Sequence, residues 1–219
     1  MDKVLENLEK IKAQIVPYTP KIVAVTKYFD EKQIIKYYEI GFRDFGENRV
    51  LDAVEKMKKL PEEILKNSRF HLIGHLQSNK VKYAVGNFDL IHSVDTYKLA
   101  KAISLEAERK NVVQKILLQI NNAGEKQKFG FSVEEIKKQF KSILELNSIK
   151  ICGVMNIAPL NCPDEMLHKL FRNIKQINDD LQFEFGVELN QISMGMSNDF
   201  RIALEEGATI IRLGRILFE

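Results

Sequence analysis

The sequence contains few of the residues that cross-link a fold or span a membrane. It has two cysteines, five prolines and no tryptophan among 219 residues. Cys152 and Cys162 match neither a disulfide framework nor a metal-ligand spacing, which favours a reducing compartment. No apolar run approaches the roughly 20 residues of a membrane span, and the charged start (Asp2, Lys3, Glu6) is unlike a signal peptide. We therefore expect a cytoplasmic protein.

Charge gives no reason to expect an anionic polymer as a partner. Lysine and arginine number 33, aspartate and glutamate 30, and the net charge is +3. The densest basic run, residues 56–59, comes late in a helix-like stretch, where cations suit the negative end of the helix dipole. We interpret it as a solvated helix face rather than a nucleic-acid patch. Neither a nucleic acid nor a membrane is expected as a partner.

Hydrophobic periodicity alternates between strand and helix along the chain. A first helix carries Val4, Leu8, Ile11 and Ile15 on one face. Short apolar runs, typical of strands buried on both faces, predict strands at 22–25, 42–45, 70–73, 90–91, 112–120, 149–155, 189–193 and 209–213. Helices are predicted from Asp30 to Gly41, over 47–60, from Ser78, over 96–110, behind a capping box of Ser132 and Glu135, over 167–181, and from a Ser197 cap to Gly207.

Eight strands that alternate with helices indicate a parallel sheet. Eight such units in about 200 residues match the small end of the (β/α)₈ class. The sequence therefore predicts an α/β fold, a (β/α)₈ TIM barrel with an extra N-terminal helix, as one domain over 1–219. An open doubly wound sheet is the alternative.

Several common site signatures are missing. The chain has no G-x-G-x-x-G, G-x-x-x-x-G-K-[ST] or G-x-S-x-G pattern, so dinucleotide, P-loop and hydrolase sites lose their usual motifs. His71 and His75 are four residues apart, but Gly74 and the strand context do not suit a helical pair of metal ligands. We predict a strand-end and a loop histidine, and no metal site.

Lys27 directly follows the first predicted strand. In barrels, the carboxyl ends of the strands carry the active site. A lysine walled by apolar residues there loses solvation of its charged form, and a neutral amine attacks an aldehyde to form an imine. A surface lysine after a strand is the alternative that position alone allows.

Two further clusters could bind an anion. Residues 193–199 join the seventh strand to a helix N-terminus, where backbone N–H groups and the dipole favour an anion. Arg212, Gly214 and Arg215 close the eighth strand. Because barrels often bind phosphate in the loops after strands seven and eight, the two clusters predict one phosphate ligand. A helix cap beside an ordinary polar turn is the alternative.

These motifs resemble those of the pyridoxal 5′-phosphate (PLP) homeostasis family, single-domain relatives of the alanine racemase barrel. The resembling stretches run almost from end to end and are IVAVTK, FGENRV, HLIGHLQSNK, QINNAGEKQKFGF, GVMNIAP, SMGMSND and RLGRILF.

The resemblance implies PLP as cofactor, held as an imine on Lys27. It implies that Arg212 faces the pyridine nitrogen and that Ser197, Gly214 and Arg215 contact the phosphate. The same pocket is implied to be lined by Asn48, His71, Met155 and Ser193. The sequence departs from the family pattern at Tyr28-Phe29, where a more polar stretch is usual, and at Arg215, where a small residue or threonine is common.

Three functions stay open at this point. The first is a PLP carrier or regulator, not an enzyme, without a catalytic residue of its own, with apo PLP-dependent enzymes as possible recipients and a monomer as the expected state. The second is a cryptic PLP-dependent amino-acid racemase. Racemase relatives add a β domain with a second acid–base group, and none is expected in this chain. The third is a barrel that binds another phosphate ester without PLP.

Overall fold

Eight parallel strands form the centre of the computed structural model, which describes residues 2–125 and 127–219. The strands are β1 (Lys21–Val25), β2 (Asp44–Glu47), β3 (Arg69–Leu72), β4 (Leu90–Val94), β5 (Gln114–Gln119), β6 (Ile149–Met155), β7 (Gln191–Ser193) and β8 (Ile210–Leu213). Each strand pairs in parallel with the next, and β8 pairs with β1. The predicted (β/α)₈ barrel is therefore confirmed, and the open sheet is excluded.

Helices surround the strands. They are α1 (Asp2–Ile15), α2 (Glu31–Glu39), α3 (Val50–Met57), α4 (Glu62–Asn67), α5 (Val81–Ala84), α6 (Tyr97–Arg109), α7 (Val133–Leu144), α8 (Asp164–Phe185), α9 (Phe200–Glu205) and α10 (Arg215–Phe218), with a 3₁₀ turn at Ser78–Lys80. The extra helix α1 packs against α9 and α10, where Asn7 donates to the Leu217 carbonyl at 3.2 Å. No helix among the described residues is long and apolar enough to cross a bilayer.

Two predicted helix starts are confirmed by their side-chain caps. Asp30 accepts the Gln33 N–H at 2.9 Å, and the Gln33 side chain accepts the Asp30 N–H. Ser132 and Glu135 exchange the same pair of bonds at the start of α7. Each cap satisfies two of the N–H groups that a helix start leaves free.

The second strand lies two residues later than predicted. Gly41 has φ +105, a conformation that glycine adopts without a side-chain clash. The Phe42 N–H then bonds the Tyr37 carbonyl at 3.0 Å, so Phe42 belongs to the helix end. The strand therefore starts at Asp44 and includes Glu47, which the sequence had predicted as the first residue of a helix.

Apolar packing separates into two regions. The larger core lies between the strands and the helices and includes fully buried Phe45, Phe140 and Phe171. A smaller cluster inside the barrel consists of Val23, Leu90, Leu117, Cys152, Met155 and Ile210. Cys152 is thus a small core residue, as predicted. The small inner cluster leaves part of the barrel interior to polar side chains.

Candidate functional site

A cavity of about 900 Å³ opens at the carboxyl ends of the strands. Its walls come from the segments that follow β1, β5, β6, β7 and β8. The lining residues are Val25, 27–29, Glu125, Lys128, 157–162, Asp164, Leu167, 196–199, Arg212, 214–215 and 218–219. The fold therefore brings Lys27 and both predicted anion-binding clusters to one cavity.

Lys27 begins a turn directly after β1. The Thr26 N–H continues the strand pairing to the Gly46 carbonyl at 2.9 Å, and the Phe29 N–H closes the turn on the Thr26 carbonyl. The Lys27 side chain is exposed, and its Nζ lies 4.8 Å from the centre of the Tyr28 ring. The Lys27 amine therefore lies over the exposed Tyr28 ring, and its exposure matches the surface lysine that position alone allowed. The amine stands open to the cavity.

A buried ion pair supports the strand end beneath Lys27. Lys56 Nζ lies 2.7 Å from Glu47 Oε1 and donates to the Thr26 carbonyl at 3.0 Å. The Thr26 hydroxyl donates to the same Glu47 oxygen at 2.6 Å. Only 10% of the Lys56 side chain is exposed. The interpretation of this basic run as a solvated face is therefore wrong at Lys56, although Lys58 and Lys59 are exposed.

The loop after β7 offers backbone N–H groups to the cavity. Among the described residues, no acceptor pairs with the N–H groups of Ser197 and Asn198. Asp199 accepts the Met196 N–H at 2.5 Å and fixes the loop. Burial raises the pKa of Asp199, and its bond to Met196 opposes that rise. Successive free N–H groups of this kind form a concavity that binds anions.

Ser197 does not cap the following helix as predicted. The helix starts at Phe200, and its N-terminal neighbour Asp199 makes no side-chain cap. The Ser197 hydroxyl instead accepts the Ile216 N–H at 3.4 Å, a long contact that links the loop to α10. The loop turns at Gly195, where a Cβ would lie 2.6 Å from the Ala203 Cβ. Packing against α9 therefore requires glycine at 195.

Two arginines near the end of β8 have different environments. Arg215 is exposed on the cavity wall. Arg212 is 4% exposed, and its guanidinium donates to Ser193 Oγ at 2.7 Å and to the Asn156 carbonyl at 2.8 Å. Burial lowers the pKa of Arg212 to about 10, against the opposing charge of Asp199. Arg212 therefore presents a buried, hydrogen-bonded cation to the cavity, and Arg215 an exposed one.

Four of the predicted site residues do not line the cavity. Met155 is buried in the barrel interior, and Asn48 is half-buried after β2. Ser193 and His71 are buried and belong to a series of hydrogen bonds inside the barrel. These two residues reach the cavity only through other side chains, because strand geometry points them at the barrel axis.

We call this series the interior column. It runs from Arg212 through Ser193, His92 and His71 to Asp44. Ser193 Oγ lies 2.9 Å from His92 Nδ1, and His92 Nε2 lies 2.9 Å from His71 Nδ1. His71 Nε2 lies 2.9 Å from Asp44 Oδ1. Burial, with the charges of Arg212 and Lys21 in addition, holds the pKa of His92 well below its ordinary value.

Asp44 ends the interior column at the opposite rim of the barrel. Arg69 donates to both carboxylate oxygens of Asp44, at 2.7 and 2.6 Å. Lys21 Nζ lies 3.8 Å from Asp44 Oδ1. Burial alone would raise the pKa of Asp44. The hydrogen bonds from Arg69 and His71 and the charge of Arg69 outweigh burial and hold that pKa far below its ordinary range.

His75 has a structural setting rather than a ligand site. Its ring stacks on Phe129 with 3.6 Å between centres, and Nδ1 lies 3.1 Å from Asp95 Oδ2. Burial raises the pKa of Asp95, although His75 acts against it. Over residues 2–125 and 127–219, no group of three or more His, Cys, Asp and Glu side chains could hold a metal ion.

Comparison with known proteins defines the class first. Residues 1–219 match the family model "Alanine racemase, N-terminal domain". The structure of alanine racemase from Clostridium difficile 630 superposes with a TM-score of 0.81 at 16% identity, covering 100% of this chain and 56% of that one. At that identity the likeness shows the fold alone.

Closer relatives narrow the class. The pyridoxal phosphate homeostasis protein of Aquifex aeolicus (strain VF5) is 39% identical over 220 residues, covering 100% of this chain and 95% of that protein. PipY of Synechococcus elongatus PCC7942, solved with PLP bound, is 34% identical with a TM-score of 0.91, covering 99% of this chain and 100% of that one. The chain belongs to the pyridoxal phosphate homeostasis family, as the motifs predicted.

Three residues around the site were missed from the sequence. They are Lys56, Asp44 and His92. The available signal was a charged or imidazole side chain in a short, otherwise buried segment, because such groups are buried only when paired. That signal marks a residue as partnered, but its partner comes from another strand or helix and is not visible in one sequence.

Proposed function

We propose that this chain binds PLP in the cavity, held covalently on Lys27, and acts in intracellular PLP homeostasis by carrying or buffering the cofactor. The main observation that supports this proposal is that an amine, an anion-binding loop and a fixed guanidinium meet at one cavity. The name of the curated relatives and the PLP bound to PipY support the same ligand.

The donors of the cavity fit the polar groups of PLP. The exposed Lys27 amine suits the aldehyde, since the two condense reversibly with loss of water. The N–H groups of Ser197 and Asn198, together with the Arg215 guanidinium, suit the phosphate dianion. Arg212 has donors only, and a pyridine nitrogen is an acceptor. The aldehyde, the phosphate and the ring nitrogen of the ligand therefore each have a matching partner.

Gly214 supports the phosphate placement in a different way. Within the part of the chain that the structure describes, a Cβ at this position would meet only Val25, with 3.5 Å to its Cβ, which is ordinary van der Waals contact. Packing within the protein therefore leaves room for a side chain there. We propose that glycine keeps the cavity wall open, so that the phosphate can approach the backbone.

Arg212 favours a carrier over a dedicated enzyme. When bound, PLP supplies an electron sink for amino-acid chemistry, and that sink is strong only when the ring nitrogen is protonated. A guanidinium that stays protonated donates to the nitrogen and keeps it unprotonated. The racemase relatives share this arrangement, so the arginine alone does not separate a carrier from an enzyme. We propose that the chain has no dedicated amino-acid turnover.

The wider setting is also a proposal. Residues 1–219 act as one PLP-binding barrel domain, as a monomer in the cytoplasm, with apo PLP-dependent enzymes as recipients. The composition favours this compartment, since two free cysteines suit reducing conditions. Transfer of PLP to an apoenzyme faster than spontaneous release is the observation that would establish the recipients.

The visible spectrum tests the ligand and its attachment. Purified protein with added PLP should show the absorption of a lysine-bound cofactor, and borohydride should fix the adduct on the peptide that contains Lys27. Lys27→Ala should abolish both while the far-UV circular dichroism stays that of the barrel. An adduct on another lysine would contradict the assignment. Binding of phosphate without any PLP spectrum would indicate the alternative function, a barrel that binds another phosphate ester without PLP.

Chiral analysis of amino acids separates the carrier from the racemase. Alanine, serine and several bulkier amino acids are incubated with the holoprotein, with Lys27→Ala as control. We expect exchange far below the roughly 1 s⁻¹ low end of ordinary enzyme turnover. Faster racemisation that is lost in the control would replace the carrier with an enzyme.

A further inference from the structure

The interior column joins a donor-only end to an acceptor-only end. Arg212 can only donate hydrogen bonds, and ionised Asp44 can only accept them. Between them lie one hydroxyl and two imidazoles, each within 2.9 Å of the next group. The column therefore crosses the barrel interior from the cavity to the opposite rim.

These end groups define one direction for every bond when both histidines are neutral. Ser193 accepts from Arg212, so its proton goes to His92 Nδ1. His92 then carries its proton on Nε2 and donates to His71 Nδ1. His71 in turn donates from Nε2 to Asp44. The reverse direction needs an additional proton on His71 and leaves the Ser193 hydroxyl with two donors and no acceptor in the column.

The direction of the column suits the charge of Arg212. A buried cation is unfavourable unless it is paired, and within the described part of the chain no carboxylate forms an ion pair with Arg212. Each dipole in the column points its negative end towards the guanidinium, and hydrogen bonds in series polarise one another. The charge of Asp199 also acts on Arg212, and the column connects the guanidinium through hydrogen bonds to the ionised Asp44.

We propose that Asp44, His71 and His92 are positioning residues that hold the Arg212 guanidinium in one orientation, and that this orientation selects ligands with a ring acceptor. The Ser193 and Asn156 contacts use one N–H on each terminal nitrogen. The remaining N–H groups stay available to the cavity. The proposal rests on the proposed function, because the acceptor in question is the pyridine nitrogen of PLP.

Nitrogen NMR tests the column without any ligand. The protein has four histidines, so single variants His75→Gln and His168→Gln assign the remaining two ring systems. We expect His71 and His92 to be neutral at pH 7.5, both with the proton on Nε2. A proton on Nδ1 of either ring, or a doubly protonated ring, would overturn the assigned direction.

An analogue of PLP with C–H in place of the ring nitrogen tests the selection. Asp44→Asn should weaken PLP about fivefold, the scale of one net hydrogen bond, and should leave the analogue unchanged. Ser193→Ala, which shortens the column at the cavity end, should show the same selective loss. Arg69→Gln is the matched control, since it removes the outer partner of Asp44 and keeps the bond to His71; we expect no selective loss.

The outcomes are distinguishable. Equal weakening of PLP and the analogue in both column variants would show a structural role only and would overturn the proposal. Selective loss in Arg69→Gln as well would place the effect at the rim ion pair rather than in the column, which also contradicts it. Failure of the wild type to bind PLP would refute the proposed function, and the NMR result would still decide the direction of the column.

Discussion

The polar groups at the mouth of the barrel and those in its interior differ in exposure and in hydrogen bonding. At the mouth, Lys27 and Arg215 are exposed, and the N–H groups of Ser197 and Asn198 lack acceptors among the described residues. In the interior, the polar side chains from Arg212 to Asp44 are buried and hydrogen-bonded. The mouth is therefore open to a ligand, whereas each side chain of the interior column already has hydrogen-bond partners within the protein.

This difference separates binding from stability. An exposed amine or N–H group without a ligand costs the protein little free energy, because water solvates it. A buried polar group without a partner costs free energy in every molecule, with or without ligand. Substitutions of the exposed groups at the mouth should therefore leave stability nearly unchanged, whereas substitutions in the interior or just beneath the mouth should lower stability, whether or not they also change affinity.

The largest expected effect is at the ion pair beneath Lys27. Lys56→Met should lower the free energy of unfolding by about 3–5 kcal/mol, because it leaves Glu47 buried without its cation. Chemical denaturation followed by circular dichroism measures the change. The double variant Lys56→Met/Glu47→Leu should recover part of it, since an apolar pair leaves no buried charge.

Lys58→Met is the matched control for this prediction. Lys58 pairs with Glu55 at 2.6 Å, but both side chains are more than 60% exposed. Removing an exposed pair should change stability by less than about 1 kcal/mol. Equal losses of stability in Lys56→Met and Lys58→Met would show that the buried ion pair beneath Lys27 contributes no more than an exposed pair.

The next effect concerns the loop that carries Ser197. Gly195→Ala should destabilise by about 3 kcal/mol, because the residue has φ +89 and its Cβ would lie 2.6 Å from Ala203. Gly186→Ala is the control, with φ +62 and open space, and should cost about 1 kcal/mol. If the two glycine variants lose the same stability, the packing of this loop on α9 does not constrain it.

Periodicity predicted the barrel because burial on both faces leaves a local mark. The predicted runs at 22–25 and 149–155 lie in strands β1 and β6. A short apolar segment between two amphipathic helices is typical of a strand that is buried on both faces. The start of β2 was misplaced because the bond from Phe42 to Tyr37 depends on backbone conformation at Gly41. The four-residue helix α10 was missed because so short a segment has no period to detect.

The mouth was easier to predict than the interior. Lys27, Ser197 and Arg215 lie within four residues of the carboxyl ends of their strands, where position in the chain gives position in the barrel. The interior column pairs side chains from five different strands, up to 101 residues apart in sequence. Its partners follow from strand order and register, and only the closed barrel brings them together.

A smaller effect should appear in the pH dependence of stability. Burial depresses the pKa of His92, so the native state stays unprotonated while the unfolded chain takes up a proton below about pH 6.5. Stability is therefore complete above that pH and falls as the pH decreases towards the depressed value. The slope from His92 is at most about 1.4 kcal/mol per pH unit.

Denaturation of wild type and His92→Gln at several values between pH 7.5 and pH 5 measures this slope. The variant should be less stable at neutral pH but flatter through the window. The other titrating groups around the column, among them His71 and Lys21, are present in both proteins. Parallel curves would mean that His92 binds a proton as readily in the barrel as in the unfolded chain.

The smallest effect is expected at the mouth itself, in affinity and not in stability. Ser197→Ala should weaken PLP by about 1 kcal/mol, the scale of one net hydrogen bond, if the hydroxyl meets the phosphate. Thermal unfolding without ligand should hardly change, because the 3.4 Å contact with Ile216 is long. Pyridoxal, which lacks the phosphate, should bind far more weakly than PLP and should be insensitive to this substitution.

The comparison of the two ligands in the two proteins isolates the phosphate, since the aldehyde and ring nitrogen are common to both. Equal affinity of the wild type for pyridoxal and PLP would contradict the phosphate placement in the loops after β7 and β8. A loss of stability in Ser197→Ala without a loss of affinity would move Ser197 from the open mouth to the fixed part of the barrel.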